Sequence, residues 1–514
     1  MNIFIDKNAK TTPTNFSWQF GVGNDHAFQM HRTDMCEHIR LAHEELGFRY
    51  LRFHGIFDDD MLCVQRLSDY KPFRAVPYSK EIEEVNFLQV AKVYDNVQSC
   101  GMKPFVELSF MPSALASGKK TGIRYLNNIT QPKSLARWCE FVTAFVKFLL
   151  RRYGKEEVES WYFEVWNEPD LAIFFKGKQQ DYFRLYEATA RAVKKVDENL
   201  RVGGPSSSAC LWLKDFKAFC EKNAVPCDFL STHHYPGDAF GNTFSMKDAF
   251  TMMRIAKYAA KDKIGLSAAM QNLFFRPEVY KTWRKGVLSE LDERAKQQAG
   301  GKALFMTEWN SMAVFASPVH DEKYAAAFIV KTVLDSAHLM DGYMFWCCSD
   351  IYEEQFMLGK PFHGGFGLVN NEGIPKPNFW AFKLLSKLYP QRIVLPKQQG
   401  DVEYAAFTDG KNVQVLLYAQ DMDYFKRDTH EVTLSLNVPA RRVLAERIDD
   451  THCNPKAEWQ KLGSPDLLTR EEVAAIKQRS RLCAEEVPFS SDGGRSIVQA
   501  VLSANDVVLF TFEA

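Results

Sequence analysis

The run Trp161-Tyr162-Phe163-Glu164-Val165-Trp166-Asn167-Glu168-Pro169-Asp170 is short and aromatic, and it ends abruptly in a polar cluster. An apolar run of this length, closed by a turn signal, reads as a buried strand rather than a helix. Stretches of helical period flank it at 134–152 and 180–198, so the local unit is helix, strand, helix. The unit recurs along the chain. Strand-like runs fall at Phe16–Asn24, Tyr50–Ile56, Pro104–Phe110, Trp161–Asn167, Val202–Ser206, Phe229–Tyr235, Ala303–Asn310 and Tyr343–Ser349. Helical stretches follow at 33–46, 82–100, 134–152, 180–198, 211–223, 277–298, 321–340 and 376–388. Eight such pairs are the number that closes an α/β fold of the (β/α)8 TIM-barrel type.

Beyond about residue 390 the pattern changes. Glu403–Thr408, Val413–Tyr418, Glu431–Leu436 and Val507–Phe512 are strands with turn residues such as Asp409-Gly410 between them, which predicts a C-terminal antiparallel β-sandwich. Thr469-Arg470-Glu471-Glu472 opens a short helix inside Pro465–Ser480. The expected layout is a barrel over 13–390 and a sandwich over 391–514, with residues 1–12 joining the sandwich. The long gap between the sixth and seventh strands predicts an inserted lobe near 240–275. Gly203-Gly204-Pro205 lacks the partners of a phosphate loop and reads as a tight turn ending the fifth strand.

Composition narrows the functional classes. The chain has 514 residues, 46% hydrophobic and 25% charged, with 64 Lys+Arg against 64 Asp+Glu. That excludes a disordered composition and leaves no net field to draw in nucleic acid. No apolar run approaches a membrane span and no basic-then-apolar leader opens the sequence. The expectation is a soluble cytoplasmic protein, periplasmic if a leader has been removed, with no nucleic-acid or membrane partner. Homo-oligomerisation is left open. The eleven cysteines form no Cys-x-x-Cys and no zinc spacing, so they read as reduced and mostly buried thiols, with no metal or cofactor implied.

A barrel builds its site from the C-terminal ends of its strands. Those ends read Arg52-Phe53-His54-Gly55, Asn167-Glu168-Pro169-Asp170, His233-His234-Tyr235, Glu308-Trp309-Asn310, and Trp346 followed by Ser349-Asp350 and Glu353-Glu354. Glu168 and Glu308 end the fourth and seventh strands, so in a closed ring they face each other across the mouth. Paired carboxylates among aromatic and histidine neighbours suit acetal hydrolysis, in which one group protonates the leaving oxygen and the other stabilises or attacks a cationic carbon.

Phe163–Leu171, Arg52-Phe53-His54-Gly55-Ile56-Phe57, Thr307-Glu308-Trp309-Asn310 and Phe362-His363-Gly364-Gly365-Phe366-Gly367-Leu368 together resemble glycoside hydrolase family 39, which contains β-xylosidases and α-L-iduronidases. The resemblance extends to Asp450–Pro455 and Trp459–Leu468 in the tail. It implies a barrel with a β-sandwich, Glu168 as general acid/base, Glu308 as nucleophile, and retention of configuration. It further implies that Asn167 bonds the sugar 2-hydroxyl, that His54, His233, Tyr235 and Glu354 bind other hydroxyls, and that Trp346 forms an apolar wall. The expected activity is an exo-acting β-D-xylosidase working on a small oligosaccharide or glycoside. The alternatives are another sugar (an α-L-iduronide, β-glucoside, β-galactoside or α-L-arabinoside) or a catalytically silent carbohydrate-binding barrel.

Overall fold

The computed structural model describes all residues except 76, 78–81, 123–125, 314, 355–358, 397, 399 and, between 237 and 283, all but 250, 253 and 257. The expected lobe near 240–275 therefore lies outside the described residues. Eight strands, Gly21–His26, Tyr50–His54, Lys103–Leu108, Tyr162–Val165, Arg201–Ser208, Phe229–His234, Ala303–Trp309 and Gly342–Tyr343, form one sheet in chain order. Every neighbouring pair is parallel, and a bridge between Val22 and Phe345 closes the ring. Among the described residues, the longer helices around it are Thr33–Leu46, Leu88–Ser99, Leu135–Tyr153, Gln179–Val196, Leu213–Lys222, Val287–Ala299, Lys323–Ser336 and Pro377–Ser386, with a short one at Lys155–Glu159. The third shows why such segments are helical. Trp138, Phe141, Val142, Phe145, Val146 and Leu149 recur at three- and four-residue steps and are all buried in the main core. Ser134 caps the helix by accepting from Arg137 N, and Gly154, at φ +86°, ends it.

Three local readings are corrected. The first strand begins at Gly21, because Ser17–Phe20 is a 3-10 turn. Gly203-Gly204-Pro205 is not a turn but the middle of a strand running to Ser208. A side chain at Gly203 would collide with the carbonyl of Phe229. The eighth strand is regular only at Gly342–Tyr343. The wall nevertheless continues, since Met344 N and Trp346 N donate to the carbonyls of Met306 and Trp309 at 2.8 and 2.9 Å.

Side chains fill the barrel in layers. At the floor, Phe20, Phe105, Phe229, Phe305 and Met344 pack together, with Tyr50 and Tyr162 against them. One layer above, where branched aliphatics are usual, stand Arg52, Glu107, Glu164 and Thr307, all buried. The site described below sits on this ionic layer.

The sandwich has a four-stranded sheet (Asn2–Ile5, Thr429–Leu436, Arg495–Ser503, Ser490–Asp492) facing a seven-stranded one. Ile3, Ile5, Val415, Leu417, Leu434, Val498 and Phe510 are among the residues packed between them. The N-terminal strand does join this unit, pairing parallel to Thr429–Leu436. The helix Arg470–Arg479 opens with the capping box of Thr469 and Glu472. Among the described residues, no helix is long and apolar enough to cross a membrane.

The Phe362–Leu368 segment is folded around a buried cation. Lys376 Nζ lies 3.0 Å from Asp321 Oδ1 and 2.9 Å from both Asp350 Oδ2 and Gly365 O. Gly364 N and Gly367 N donate to the same two carboxylates at 2.7 and 2.6 Å. Gly364, at φ +80°, could not carry a side chain without striking Ser317 O, 2.6 Å from a Cβ placed there. Replacing Lys376 by Met strands two carboxylates in a dry interior and should cost about 3–5 kcal/mol. The measurement is the urea midpoint, and an unchanged midpoint refutes the assignment.

Candidate active site

Period-two alternation along the second strand points Tyr50, Arg52 and His54 into the barrel. Arg52 is completely buried. Its Nε donates to Glu164 Oε2 at 2.7 Å, its Nη1 to Glu308 Oε1 at 2.8 Å, and its Nη2 to Asn167 Oδ1 at 2.9 Å and Ser206 Oγ at 3.1 Å. Glu107 Oε2 lies 2.6 Å from Nη2. Burial alone would favour the neutral guanidine, but Glu164, Glu107 and Glu308 reverse that and hold it protonated.

Glu308 reaches the pocket through a break in register. Thr307 also points inward, donating to Glu164 Oε1 at 3.0 Å, which simple alternation forbids for consecutive residues. The pairing with the sixth strand slips between Thr232 and His233, so that Glu308 stands beside His233. Arg52 then holds Glu308 Oε1, and Tyr235 Oη donates to Oε2 at 2.9 Å. Burial raises the Glu308 pKa, while Arg52, His54 and Tyr235 oppose the rise.

Glu168 sits past the end of the fourth strand at φ +39°, two residues after Trp166 at +73°. Both are unfavourable conformations for residues with side chains. They are held because Trp166 Nε1 donates to Phe174 O and Glu168 N to Ser206 O, at 2.9 and 2.8 Å. His233 lies between the two carboxylates, with Nδ1 3.0 Å from Glu168 Oε1 and 3.6 Å from Glu308 Oε1. Burial, and then Arg52, lower its pKa far below the usual value, so it is neutral. Glu168, His233 and Glu308 place one polar atom each within 4.8 Å of one another.

The remaining expected residues line the same pocket. His54 Nε2 is 3.6 Å from Glu308 Oε1, and its ring centre is 4.7 Å from that of Trp346. Burial pulls the His54 pKa down to about 3. Glu354 turns inward, 3% exposed, and accepts from Tyr352 Oη at 2.6 Å, while Glu353 turns out toward Arg32. Burial lifts the Glu354 pKa to about 7 against the opposing charge of His26. His234, by contrast, is structural: its Nδ1 is 2.7 Å from Asp292 Oδ1, and Tyr343 Oη donates to the other oxygen of Asp292.

A second buried group, Asp25, His26 and Glu354, also brings polar atoms within 4.8 Å. Burial lowers the His26 pKa, but Asp25, then Asp58 and Glu354, together lift it to about 9. As it stands, the protonated imidazole sits among three carboxyl groups as an internal ion group.

Sequence reasoning named the eight residues brought together here but not the layer beneath them: Arg52 as its hub, Glu107, Glu164, Ser206 and Thr307. The signal available was two-residue alternation. Stepping back from His54 leads to Arg52, and Glu107 and Glu164 are lone carboxylates inside otherwise apolar strand runs.

A closed barrel whose mouth holds two opposed carboxylates over a buried arginine defines a carbohydrate-hydrolysing class of enzyme. Comparison with known proteins agrees. The model of the glycosyl hydrolases family 39 matches residues 1–496, and the chain belongs to that family and is a glycoside hydrolase. It is 37% identical over 496 residues to a beta-xylosidase of Caldicellulosiruptor saccharolyticus, covering 95% of this chain and 93% of that one. It is 31% identical over 506 residues to a beta-xylosidase of Geobacillus stearothermophilus, covering 97% and 92% respectively. Among solved structures, a family 39 beta-xylosidase from Caulobacter crescentus superposes with a TM-score of 0.77 at 28% identity, covering the whole of both chains.

The environment of Glu354 predicts a pH effect on stability. Its folded pKa, about 7, lies above the ordinary carboxyl value, so the folded state holds the proton more tightly than the unfolded one. The associated stability is fully present below about pH 4.5 and is lost as pH rises through 7. Glu354→Gln should therefore gain stability relative to wild type between pH 4.5 and 8, by up to roughly 3 kcal/mol. Urea unfolding at the two pH values checks this, and a pH-independent difference would rule it out.

Proposed function

We propose that this chain is an exo-acting β-D-xylosidase that releases xylose from nonreducing ends by double displacement. Glu308 is the nucleophile and Glu168 the general acid/base. The observation that carries the reading is the approach of Glu168 and Glu308 oxygens to within 4.8 Å around a neutral His233. Retaining enzymes hold their carboxyl groups about 5–5.5 Å apart, and inverting enzymes about 6.5–9.5 Å, to leave room for a water. The sugar named here follows the full-length relatives.

In the first step the Glu308 carboxylate attacks the anomeric carbon. The bond to the leaving oxygen breaks, and that oxygen takes the Glu168 proton. Arg52 stays charged throughout, so the anion is stabilised before attack and the ester oxygen keeps a donor afterwards. Esterification removes the negative charge of Glu308, which lowers the proton affinity of Glu168 and suits it to act as base. In the second step Glu168 takes a proton from water, the water oxygen bonds to the anomeric carbon, and the bond to Glu308 breaks.

Asn167 is oriented for the 2-hydroxyl. Its Oδ1 faces Arg52, which can only donate, so Nδ2 is the atom left for substrate. That Nδ2 is buried without a hydrogen-bond partner among the described residues. His54, Tyr235 and Glu354 supply further polar groups, and the Trp346 ring covers an apolar face of the sugar.

Glu168→Ala should slow xylobiose hydrolysis by roughly 10²–10⁴, the usual contribution of general acid catalysis. It should slow an aryl xyloside with a good leaving group far less in the first step, with azide restoring turnover as the β-xylosyl azide. A 2-fluoro-xyloside with a good leaving group should label Glu308. A label mapped to another residue, or an equal loss on both substrates, contradicts the assignment.

A further inference from the structure

Glu107 lies at the end of the third strand, 1% exposed, and takes no part in the two steps above. Its Oε2 is 2.6 Å from Arg52 Nη2 and 2.8 Å from His54 Nδ1. Its Oε1 pairs with the Ser109 hydroxyl, which also accepts from Gly55 N at 3.3 Å. We infer that Glu107 is a positioning residue that fixes the tautomer of His54 and so presents His54 Nε2 to the sugar as a hydrogen-bond acceptor. The inference rests on the reading of His54 as part of the sugar subsite.

The guanidinium decides which oxygen of Glu107 carries the charge. A positive charge 2.6 Å from Oε2 makes that oxygen the anionic end of the carboxyl, because a proton there would face a full like charge. Whatever proton Glu107 holds is therefore on Oε1, toward Ser109. Burial lifts the Glu107 pKa to about 7 against Arg52, Ser109 and His26, so both charge states occur near neutrality, and in each of them Oε2 accepts. His54 is neutral, with its pKa near 3, and carries one ring proton. With an acceptor 2.8 Å from Nδ1, that proton sits on Nδ1 and the Nε2 lone pair is bare.

The consequence lies on the substrate side. His54 Nε2 faces Glu308 Oε1 at 3.6 Å, so two acceptors look into the same space. A ligand group that reaches His54 must donate, as a hydroxyl does and a fluorine or an ether oxygen does not. The device selects for a free hydroxyl at that position, and it does so without placing a second positive charge beside the nucleophile. Any buried acceptor left unfilled is costly, which makes the discrimination steep.

The test reads the tautomer directly, by long-range ¹H–¹⁵N correlation of His54 in the free protein, with His54→Asn identifying the signal. Wild type should show the Nδ1–H form, and so should Glu107→Gln, whose amide oxygen faces Arg52 while its NH2 turns to Ser109. Glu107→Leu should shift His54 to the Nε2–H form or to a mixture. Nε2–H in wild type or in E107Q, or pure Nδ1–H in E107L, overturns the inference. If E107L does not fold, wild type and E107Q alone decide it. On 4-nitrophenyl β-D-xyloside, E107L should raise KM by about tenfold with a smaller change in kcat, and E107Q should restore most of it. A loss confined to kcat, through fewer active molecules, marks a merely structural role and also overturns it. Absence of xyloside cleavage by wild type would count against the proposed activity while leaving the tautomer result to judge Glu107.

Discussion

Arg52 carries a full charge in the middle of a barrel, out of contact with water, and the placement of the carboxylates around it follows from that charge. Removing a guanidinium from water costs several kcal/mol, and only close, hydrogen-bonded anions offset it. Glu164, Glu107 and Glu308 supply them from the fourth, third and seventh strands, with Asn167 Oδ1 and Ser206 Oγ as further acceptors. Each of these side chains is thereby fixed relative to the others across the ring. At an effective dielectric of about 20, opposite charges 4 Å apart attract by about 4 kcal/mol, so the guanidinium acts strongly on the ionisation of Glu308.

The barrel interior is graded accordingly. A floor of phenylalanines excludes water from below, the ionic layer above it orients the carboxylates, and the pocket residues stand on that layer. Desolvation raises the Glu308 pKa, while Arg52, His54 and Tyr235 pull the other way. The two histidines between the acids stay neutral because the same burial, helped in His233 chiefly by Arg52, suppresses their protonation. The anionic character of Glu308 therefore depends chiefly on Arg52, while His26 is the cation beside Glu354.

Much of this was legible beforehand. The helix 33–46 falls where its apolar period puts it because it buries one face, and the strands 403–408 and 413–418 stand out as short runs buried along almost their whole length. The facing of Glu168 and Glu308 was legible because strand ends in a barrel converge, whereas the other six residues were named from the resemblance to family 39. Other features were hidden for identifiable reasons. Arg442–Ile448 and Arg495–Ser503 turn Leu444, Ile497 and Val501 outward and bury Glu446 and Ser496, which blurs the two-residue alternation. The middle strand position of Gly203-Gly204-Pro205 depends on a neighbouring carbonyl far away in sequence. The inward turn of Glu308 depends on a register slip against the sixth strand, which no local pattern encodes.

The central claim is that the charge of Arg52 keeps Glu308 an anion. The most direct measurement is the acid limb of kcat/KM on an aryl xyloside, since that limb reports ionisation in the free enzyme. Wild type, Arg52→Lys and Arg52→Met are compared, each shown to be folded by its thermal transition. Loss of the charge in R52M should move the limb to higher pH by about one unit or more, while R52K stays close to wild type. An acid limb that does not move in folded R52M would contradict the account.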